Sequence, residues 1–444
     1  MPEYVKAVAE RLRAAGYEVY VVGGAPRDLA LGQVPDDWDL ATTATPMRVQ
    51  ELFADSQLVL TGNRFGTVGI VSDGRLVQVT TFRSEADYAD KRHPGKVEFV
   101  HDIQSDLSRR DFTVNAIAIR WPDCDIVDPF CGIEDIRKGV IRAVGDPNQR
   151  FAEDALRMLR AARFAAEYDW EVEPVTLRAI RANAASLACV SVERIRDELC
   201  KLLLGTCPSR GLALMFQTGM MDLVIPEFSA ARTMEEGVRF HHKPVIEHTL
   251  EVVDLVRPKL AVRFAALLHD IAKPSSLCLD NGEVHFYGHD KAGADMAVSI
   301  MTRLKMDKAT IEETSVLVRE HMRPIAWEPA PLRRLIRKLG SLIFDWLDLK
   351  RADLIASGEP RAAEAFGVLE ERIKQILEAK EPLHVSDLAV SGHDVMEALE
   401  LKPGPLVGEA LAYLLEKVIE DPARNRKEVL VSLLHEWWNE RIKR

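Results

Sequence analysis

The sequence predicts an α+β protein, with a small sheet-containing part near the N terminus and a mostly helical remainder. Short β-rich runs lie at Val19–Val22, Thr67–Val71 and Leu76–Phe82. The last two are joined by a Ser-Asp-Gly sequence that is typical of a hairpin turn. In the second half of the chain, apolar residues recur almost everywhere with the helical period.

Length and composition describe a globular protein of several domains. The chain has 444 residues, too many for one ordinary core, so two to four domains are expected. Hydrophobic residues make up 47% and charged residues 29%, which are ordinary values for soluble proteins. No apolar run is long enough to cross a bilayer, and the N-terminal segment Tyr4–Ala15 has the pattern of an amphipathic helix rather than a signal peptide. No membrane partner is expected.

The cysteines and the net charge bear on the cellular compartment and on whether the protein binds nucleic acid. The six cysteines form no Cys-x-x-Cys pair and lie among apolar neighbours, which indicates buried thiols in a reducing cytoplasm. The net charge of −11 argues mildly against a nucleic-acid partner. It does not exclude one, because local basic patches rather than net charge decide electrostatic binding.

The stretch from Gly23 to Asp39 has the residue types of a site for a metal-bound nucleotide. Paired glycines between a strand and a helix let backbone N–H groups approach an anion such as a triphosphate. On a strand, Asp37 and Asp39 point to one face while Trp38 points to the other. Two carboxylates this close repel each other unless a divalent cation lies between them.

Each half of this pattern alone is more often structural, a plain turn or a solvated loop. Together they resemble motif A of the class II nucleotidyltransferases, the family of the tRNA CCA-adding enzymes and bacterial poly(A) polymerases. In that family a Gly-Gly-x-x-Arg-Asp loop precedes an Asp-x-Asp pair, as it does here. The resemblance implies that Asp37 and Asp39 are catalytic and hold Mg²⁺, and that the nucleotide is bound by Gly23, Gly24, Arg27 and Asp28.

The resemblance also implies an architecture. Residues 1–145 are expected to form a small polymerase-β-like nucleotidyltransferase head with a mixed sheet. An all-helical neck with the base-reading helix (146–235), an HD domain as the body (236–360) and a helical, RNA-binding tail (361–444) are expected to follow. The tail resembles the part of the family that holds the RNA.

A second motif, SRRDFTVNAIAI, occupies residues 108–119. If its charged residues only form a surface ion-pair cluster, they contribute little to stability. It also matches the family's RRDFTxNA motif, which recognises ribose hydroxyls, and an aspartate acceptor with an arginine donor suits a 2′-OH. The resemblance implies nucleotide-binding roles for Arg110, Asp111 and Asn115.

Two features between these motifs bear on the metal and on the added nucleotide. Gln78 stands where the family usually has an acidic residue, and because it is neutral the third metal ligand is left unassigned. Residues 81–100 are polar and broken by Pro-Gly, which predicts a surface loop. Asp90, Arg92 and Pro94 resemble the family's flexible loop, and its full length favours an enzyme able to add the terminal adenosine.

An amphipathic helix is predicted from Phe151 to Ala166, with charged residues gathered on one arc. Ion pairs along the helix explain this pattern fully. The resemblance adds the base-reading EDxxR motif, carried by Asp154 and Arg157, and a spacing of three on one helix is expected to hold both groups coplanar with one base. Cytosine and adenine each offer an amine beside a ring-nitrogen acceptor, so one pair of side chains accepts both. Arg160, assigned to triphosphate charge, and Arg163 complete the nucleotide site, and supporting roles are assigned to Glu153, Arg194 and Glu198.

A second constellation lies in the helical half of the chain. A lone histidine is most often a core or surface residue, but an adjacent His-Asp flanked by histidines on separate helices makes a site for a transition metal or a hard divalent ion. The order H…HD…H…H…D resembles the HD superfamily of metal-dependent phosphohydrolases. HD segments that have lost hydrolysis also occur as structural bodies, so the pattern predicts a metal site and leaves hydrolysis open. The implied ligands are His248, His269, Asp270, His289, His321 and Asp353.

The implied reaction is nucleotidyl transfer, with the tRNA 3′ end, CTP and ATP as substrates. Asp37 and Asp39 would hold two Mg²⁺ ions, one lowering the pKa of the RNA 3′-OH and the other stabilising the leaving pyrophosphate. Three hypotheses stand. The first is a CCA-adding tRNA nucleotidyltransferase, either complete or restricted to the terminal A, and the second is a poly(A) polymerase. The third, from a different class, is an HD-type phosphohydrolase or cyclic phosphodiesterase with its own divalent metal.

Overall fold

A computed structural model describes residues 1–62, 65–86, 96–237, 244–280, 283–324, 328–358 and 360–442. The chain forms two compact units, Met1–Ser229 with Thr302–Met306, and Ala230–Met301 with Asp307–Arg444. The large sheet lies in the first unit, and the second unit is mostly helical. The predicted α+β class is confirmed. The finer division at residues 145, 235 and 360 stays a prediction.

The first unit is built on a mixed sheet. In chain order its strands, with one separate hairpin, are β1 (Val19–Val22), β2 (Asp39–Thr42), β3 (Gln57–Val59), β4 (Thr67–Ser72), β5 (Arg75–Thr81), β6 (Arg83–Ala86), β7 (Lys96–Phe99), β8 (Ala118–Arg120) and β9 (Ile126–Val127). Within the described residues, the large sheet has the order β3-β4-β5-β2-β1-β8-β9. Only the β2–β5 pair in it is parallel, so the predicted mixed sheet is confirmed.

Both faces of this sheet are covered by apolar side chains. Helix α1 (Glu3–Ala14) packs Val5, Val8 and Leu12 against the face that carries Trp38 and Leu40. The other face packs against helix α4 (Ile103–Ser108) through a cluster that includes Tyr20, Val22, Ala41, Phe82 and Leu107. Alternate strand residues therefore reach opposite cores, as the pleat requires.

The β4–β5 turn and the segment after it test two local predictions. The hairpin is present, and Asp73 and Gly74 adopt positive φ angles of 47° and 73°, as a tight two-residue turn requires. The prediction of a surface loop over residues 81–100 is wrong at both ends, because β6 and β7 pair as an antiparallel ladder. Asp90, Arg92 and Pro94 lie outside the described residues.

The helices of the first unit surround the sheet and continue past it. After α1 they are α2 (Gly24–Ala30), α3 (Pro46–Leu52), α4, α5 (Gly132–Lys138), α6 (Pro147–Glu153), α7 (Leu156–Tyr168), α8 (Pro174–Asn183), α9 (Val192–Leu203), α10 (Pro208–Thr218) and α11 (Met220–Val224). Helix α12 (Phe228–Gly237) begins in this unit, and most of its residues belong to the second. A short parallel pair, β10 (Val140–Ile141) with β11 (Glu171–Val172), lies among them.

The predicted single helix from Phe151 to Ala166 is wrong. Helix α6 ends at Glu153, Asp154 is extended (φ −143°, ψ 105°), and α7 begins at Leu156. The carboxylate of Asp154 accepts a hydrogen bond from the Leu156 backbone N–H at 3.1 Å. A side chain that caps the next helix explains why the chain breaks there although its apolar period continues.

Among its described residues, the second unit contains helices and one pair of antiparallel strands. They are α13 (Val245–Leu255), α14 (Leu260–Leu268), β12 (Leu277–Asp280), β13 (Glu283–Phe286), α15 (His289–Arg303), α16 (Lys308–Glu320), α17 (Pro329–Leu339), α18 (Ile343–Ala356), α19 (Pro360–Glu378), α20 (Gly392–Leu399), α21 (Pro405–Glu420) and α22 (Lys427–Ile442). Among the described residues, no helix has both the length and the apolar character needed to cross a membrane.

The cysteines differ from their prediction in one respect. All six are free thiols, as expected. The expectation that they are buried is wrong, because Cys124, Cys131 and Cys189 are exposed and the other three are partly exposed. Apolar neighbours in sequence did not predict burial here, and around Cys124 the neighbour Ile126 is itself exposed.

Helices α7 and α10 approach closely at Gly211, and this contact supports α7. A Cβ atom at Gly211 would overlap the carbonyl oxygen of Ala162 and come within 3.0 Å of the Ala166 side chain. We expect Gly211→Ala to lower the free energy of unfolding by about 1–3 kcal/mol, as overpacking does. Scanning calorimetry measures the effect. Gly408→Ala, a helical glycine with no atom within 4 Å of its added Cβ, should leave stability unchanged or raise it, and equal losses in both variants would contradict the packing argument.

Candidate active site

The Gly23-Gly24 turn lies directly against the carboxylate of Asp39. Strand β1 ends at Val22, and Gly23 precedes α2 with a φ of 81°, a conformation that side chains rarely adopt. A Cβ at Gly23 would lie 3.0 Å from Oδ2 of Asp39. The backbone therefore approaches the carboxylate more closely than a larger residue permits.

Asp39 is the more enclosed of the two candidate metal ligands. Trp38 and Leu40 are buried on one face of the sheet, which leaves Asp39 on the other. Asp37 is exposed and lies just before β2. Burial raises the pKa of Asp39, the charge of Arg110 opposes that rise, and the charge of Asp37 adds to it. Two coupled carboxylates of this kind suit a divalent cation.

Gln78 stands beside Asp39 in the sheet. The parallel register of β2 and β5 pairs Asp39 with Gln78, so the two side chains leave the same face of the sheet. Its neutral amide brings no third negative charge to the aspartate pair. The position expected to hold an acidic ligand is thus correctly placed but uncharged.

A chain of hydrogen bonds runs from the glycine loop to helix α7. Arg27 Nη1 donates to Asn115 Oδ1 at 2.7 Å, and Asn115 Nδ2 donates to Asp111 Oδ1 at 3.0 Å. The other oxygen of Asp111 accepts from Arg160 at 2.7 Å. Burial alone would raise the pKa of Asp111, but Arg160 and Asn115 outweigh it and hold the pKa well below its ordinary value. Asp111 is therefore a permanent acceptor.

Helix α9 supports α7 through two acidic contacts. Glu198 Oε2 lies 2.9 Å from Arg163 Nε, and Glu198 Oε1 lies 3.8 Å from Arg160. Arg194, on the same helix, donates to Asp154 Oδ2 at 2.7 Å. The residues predicted to support the site contact the residues predicted to bind nucleotide.

The proposed base-reading pair does not lie on one continuous helix. Asp154 is held by Arg194, whereas Arg157 donates to Glu153 at 2.9 Å and to the carbonyl oxygen of Arg109 at 2.9 Å. The argument that a helical spacing of three makes the two groups coplanar is therefore wrong. Their positions are set by separate partners on neighbouring segments.

Three residues that contact the candidate site residues were not among those predicted from the sequence. Asp106 is fully buried and pairs with Arg109 at 2.8 Å and Arg110 at 3.2 Å. Phe164 and Tyr168 lie over the guanidinium of Arg27, at 5.3 and 5.0 Å from its Cζ. The only available signals were spacings: Asp106 precedes Arg110 by four residues, and the two rings are one helical turn apart.

The six HD residues converge in the second unit. They form two triads in which the ligand atoms lie within 4.8 Å of one another, His248 with His269 and Asp353, and Asp270 with His289 and His321. Asp270 also lies within 3.8 Å of both remaining histidines, His248 and His269. The sequence pattern therefore named residues that are together in space.

The histidines of this cluster are oriented by the backbone. Nδ1 of His269, His289 and His321 lies 2.6–2.8 Å from the carbonyl oxygen three residues earlier. A ring that donates from Nδ1 turns its Nε2 lone pair to the centre of the cluster, as a metal ligand requires. Burial lowers the pKa of His321 to about 4, so this ring is neutral at physiological pH. The donor set fits a divalent metal.

Comparison with known proteins identifies the family. A CCA-adding enzyme of Limosilactobacillus reuteri is 31% identical over 435 residues, which are 98% of this chain and 96% of the relative. The chain belongs to the tRNA nucleotidyltransferase family. The predicted family membership is confirmed.

Family models match three parts of this tRNA nucleotidyltransferase. "Poly A polymerase head domain" matches residues 19–142, "Probable RNA and SrmB- binding site of polymerase A" matches residues 169–232, and a model of tRNA nucleotidyltransferase domain 2 matches residues 293–434. The HD domain stays a prediction that rests on the histidine cluster.

Other relatives of this tRNA nucleotidyltransferase have names that specify different activities. An A-adding tRNA nucleotidyltransferase of Deinococcus radiodurans is 38% identical over 331 residues, 71% of this chain and 75% of the relative. The crystal structure of the Bacillus stearothermophilus CCA-adding enzyme in complex with CTP is 30% identical, covers 100% of both chains and has a TM-score of 0.74. The Thermotoga maritima CCA-adding enzyme complexed with tRNA shares the fold, at 20% identity and a TM-score of 0.61.

The close approach at Gly23 gives a direct test of the site. Gly23→Ala forces a side chain against Asp39 and strains a positive φ. We expect about a 100-fold loss of nucleotide transfer with an unchanged circular dichroism spectrum. Gly32→Ala is the matched control, because Gly32 also has a positive φ (72°) but no atom within 4 Å of its added Cβ. Transfer reduced equally in the two variants would show that strain, rather than the approach to Asp39, is responsible.

Proposed function

We propose that this tRNA nucleotidyltransferase builds the CCA end of tRNA, transferring C and A from CTP and ATP to the RNA 3′ end and releasing pyrophosphate. One observation carries the proposal. Segments far apart in the sequence, the glycine loop, the RRDFTVNA motif and helices α7 and α9, are joined in one network of hydrogen bonds and ion pairs beside the aspartate pair. Full-length similarity to CCA-adding enzymes agrees with it.

The aspartate pair and the glycine loop serve the transfer itself. Asp37 and Asp39 supply the carboxylates that would hold Mg²⁺, an ion that lowers the pKa of an attacking hydroxyl and neutralises the charge of a triphosphate. The backbone at Gly23 and Gly24 opens helix α2 and is suited to hold phosphate oxygens by N–H donation. Arg110, whose charge acts on Asp39, lies where it can offset developing negative charge.

The sugar and the base are assigned to different groups. Asp111 is ionised and buried, so it is suited to accept a hydrogen bond from a ribose hydroxyl. Asp154 and Arg157 are the proposed base-reading pair, held by Arg194 and by Glu153. Because both groups are fixed by protein partners, the protein rather than a nucleic-acid template chooses the base.

Two narrower activities are alternatives. The first alternative is an enzyme that adds only the terminal A, as the name of the 38% identical A-adding relative suggests. A poly(A) polymerase would use the same residues on other RNAs. The choice depends on which 3′ ends are extended and with which nucleotide.

Primer extension separates these activities. We expect the wild type to extend tRNA transcripts ending before CCA, after C and after CC, using only CTP and ATP with Mg²⁺. Asp39→Ala should lose transfer by about 10³-fold or more because a metal ligand is removed. The control is Asp36→Ala, an exposed aspartate three residues away, and it should stay within about twofold of wild type. Extension of the CC primer alone identifies an A-adding enzyme, and failure of every primer contradicts the proposal.

We propose a second, separate divalent-metal centre at the HD residues. Four neutral-capable imidazoles and two carboxylates converge there, and three of the rings are oriented by backbone carbonyls. Lys273 Nζ lies 2.6 Å from Asp270 Oδ2 and balances its charge. Such a donor set suits a transition metal or Mg²⁺, with phosphoester hydrolysis as the candidate chemistry.

Metal analysis tests this centre independently of transfer. We expect His269→Ala to lose the bound divalent metal, measured by plasma mass spectrometry after gel filtration, while primer extension stays within about twofold. His289→Gln, closer in size to the native residue, should also lose metal and guards against misfolding of the first variant. His393→Ala, an exposed histidine of another His-Asp pair, should keep the metal. Loss of extension in a folded His269→Ala protein would contradict separate centres.

A further inference from the structure

Two aromatic rings of helix α7 lie against the guanidinium of Arg27. Its Cζ lies 5.3 Å from the ring centre of Phe164 and 5.0 Å from that of Tyr168. The rings are one turn apart on α7, with centres 6.0 Å apart and planes at 30°. Arg27 itself is only 8% exposed. Contacts of a cation with aromatic faces are strongest when the cation is removed from water in this way.

The edges of the same guanidinium are held by hydrogen bonds. Nη1 donates to Asn115, and Nε and Nη2 donate to Asp28 at 3.0 and 2.8 Å. A Cβ added at Gly24 would lie 3.3 Å from Nη2, so the glycine loop rests on this group. Arg27 therefore links the loop to helix α7 through its ring contacts and to Asp111 through Asn115.

We propose that Tyr168 is a positioning residue for nucleotide binding, acting through Arg27. Its ring fixes the guanidinium, and the guanidinium fixes the Gly23-Gly24 turn against α7. The inference rests on the proposed role of that turn in holding the triphosphate. Tyr168 lies outside every motif named above, and its contact is on the phosphate side of the site, away from Asp154.

Tyr168 is a better probe of this contact than Phe164. Phe164 is buried, and its ring also faces Arg160, Arg163 and Phe112. Replacing it would disturb several contacts at once. Tyr168 is partly exposed and also stacks against Trp170, with ring centres 4.7 Å apart. Trp170 thus provides a matched control from the same aromatic cluster.

Steady-state kinetics with CTP and with ATP tests the proposal. Tyr168→Leu should raise the KM for both nucleotides about tenfold, with kcat within about twofold, because a desolvated cation–aromatic contact is lost on the phosphate side. Discrimination against UTP and GTP should not change. Tyr168→Phe keeps the ring and should behave as wild type.

Two comparisons make the result specific. Trp170→Leu should lower the melting temperature without raising KM, and Arg27→Lys combined with Tyr168→Leu should give less than the sum of the two separate effects. An unchanged KM in Tyr168→Leu, an equal KM rise in Trp170→Leu, or full additivity would each overturn the positioning role. Absence of transfer in the wild type would instead refute the proposed function itself.

Discussion

The buried carboxylate of Asp111 is the group on which the candidate active site depends. It accepts hydrogen bonds from the Phe112 backbone N–H at 2.8 Å, from Asn115 and from Arg160. An ionised carboxylate removed from water is costly unless such donors compensate it. Because Arg160 belongs to α7 and Asp111 to the segment after α4, meeting this requirement fixes the helix against the sheet-containing part of the chain.

Charge alternation extends this arrangement through the site. The arginines around the Phe164 ring, Arg27, Arg160 and Arg163, contact Asp28, Asp111 and Glu198 respectively. Like charges can therefore lie near one ring without large repulsion. A site held in this way is organised before substrate arrives, so little free energy is spent on ordering side chains when a triphosphate binds.

The two candidate metal sites differ in chemistry as well as in place. The aspartate pair offers only carboxylates, the ligands that Mg²⁺ prefers when water and phosphate complete its shell. The HD cluster offers four histidines and two aspartates, a set that also suits transition metals. They lie in different compact units. Among the described residues, no side chain belongs to both candidate sites. We therefore expect the two sites to have separate metal requirements.

The family resemblance named the candidate site residues, whereas local pattern predicted the class of fold, strand β1 and the β4–β5 hairpin, because turn chemistry and side-chain alternation act over a few residues. Local pattern failed at Asp154, where the apolar period continues across a break that depends on a cap and on Arg194, 40 residues along the chain. The tertiary structure was needed to show the partners of Arg27, the burial of Asp106 and the grouping of the six HD residues into two triads. Those are contacts between distant segments, and local pattern carries no information about which segments meet.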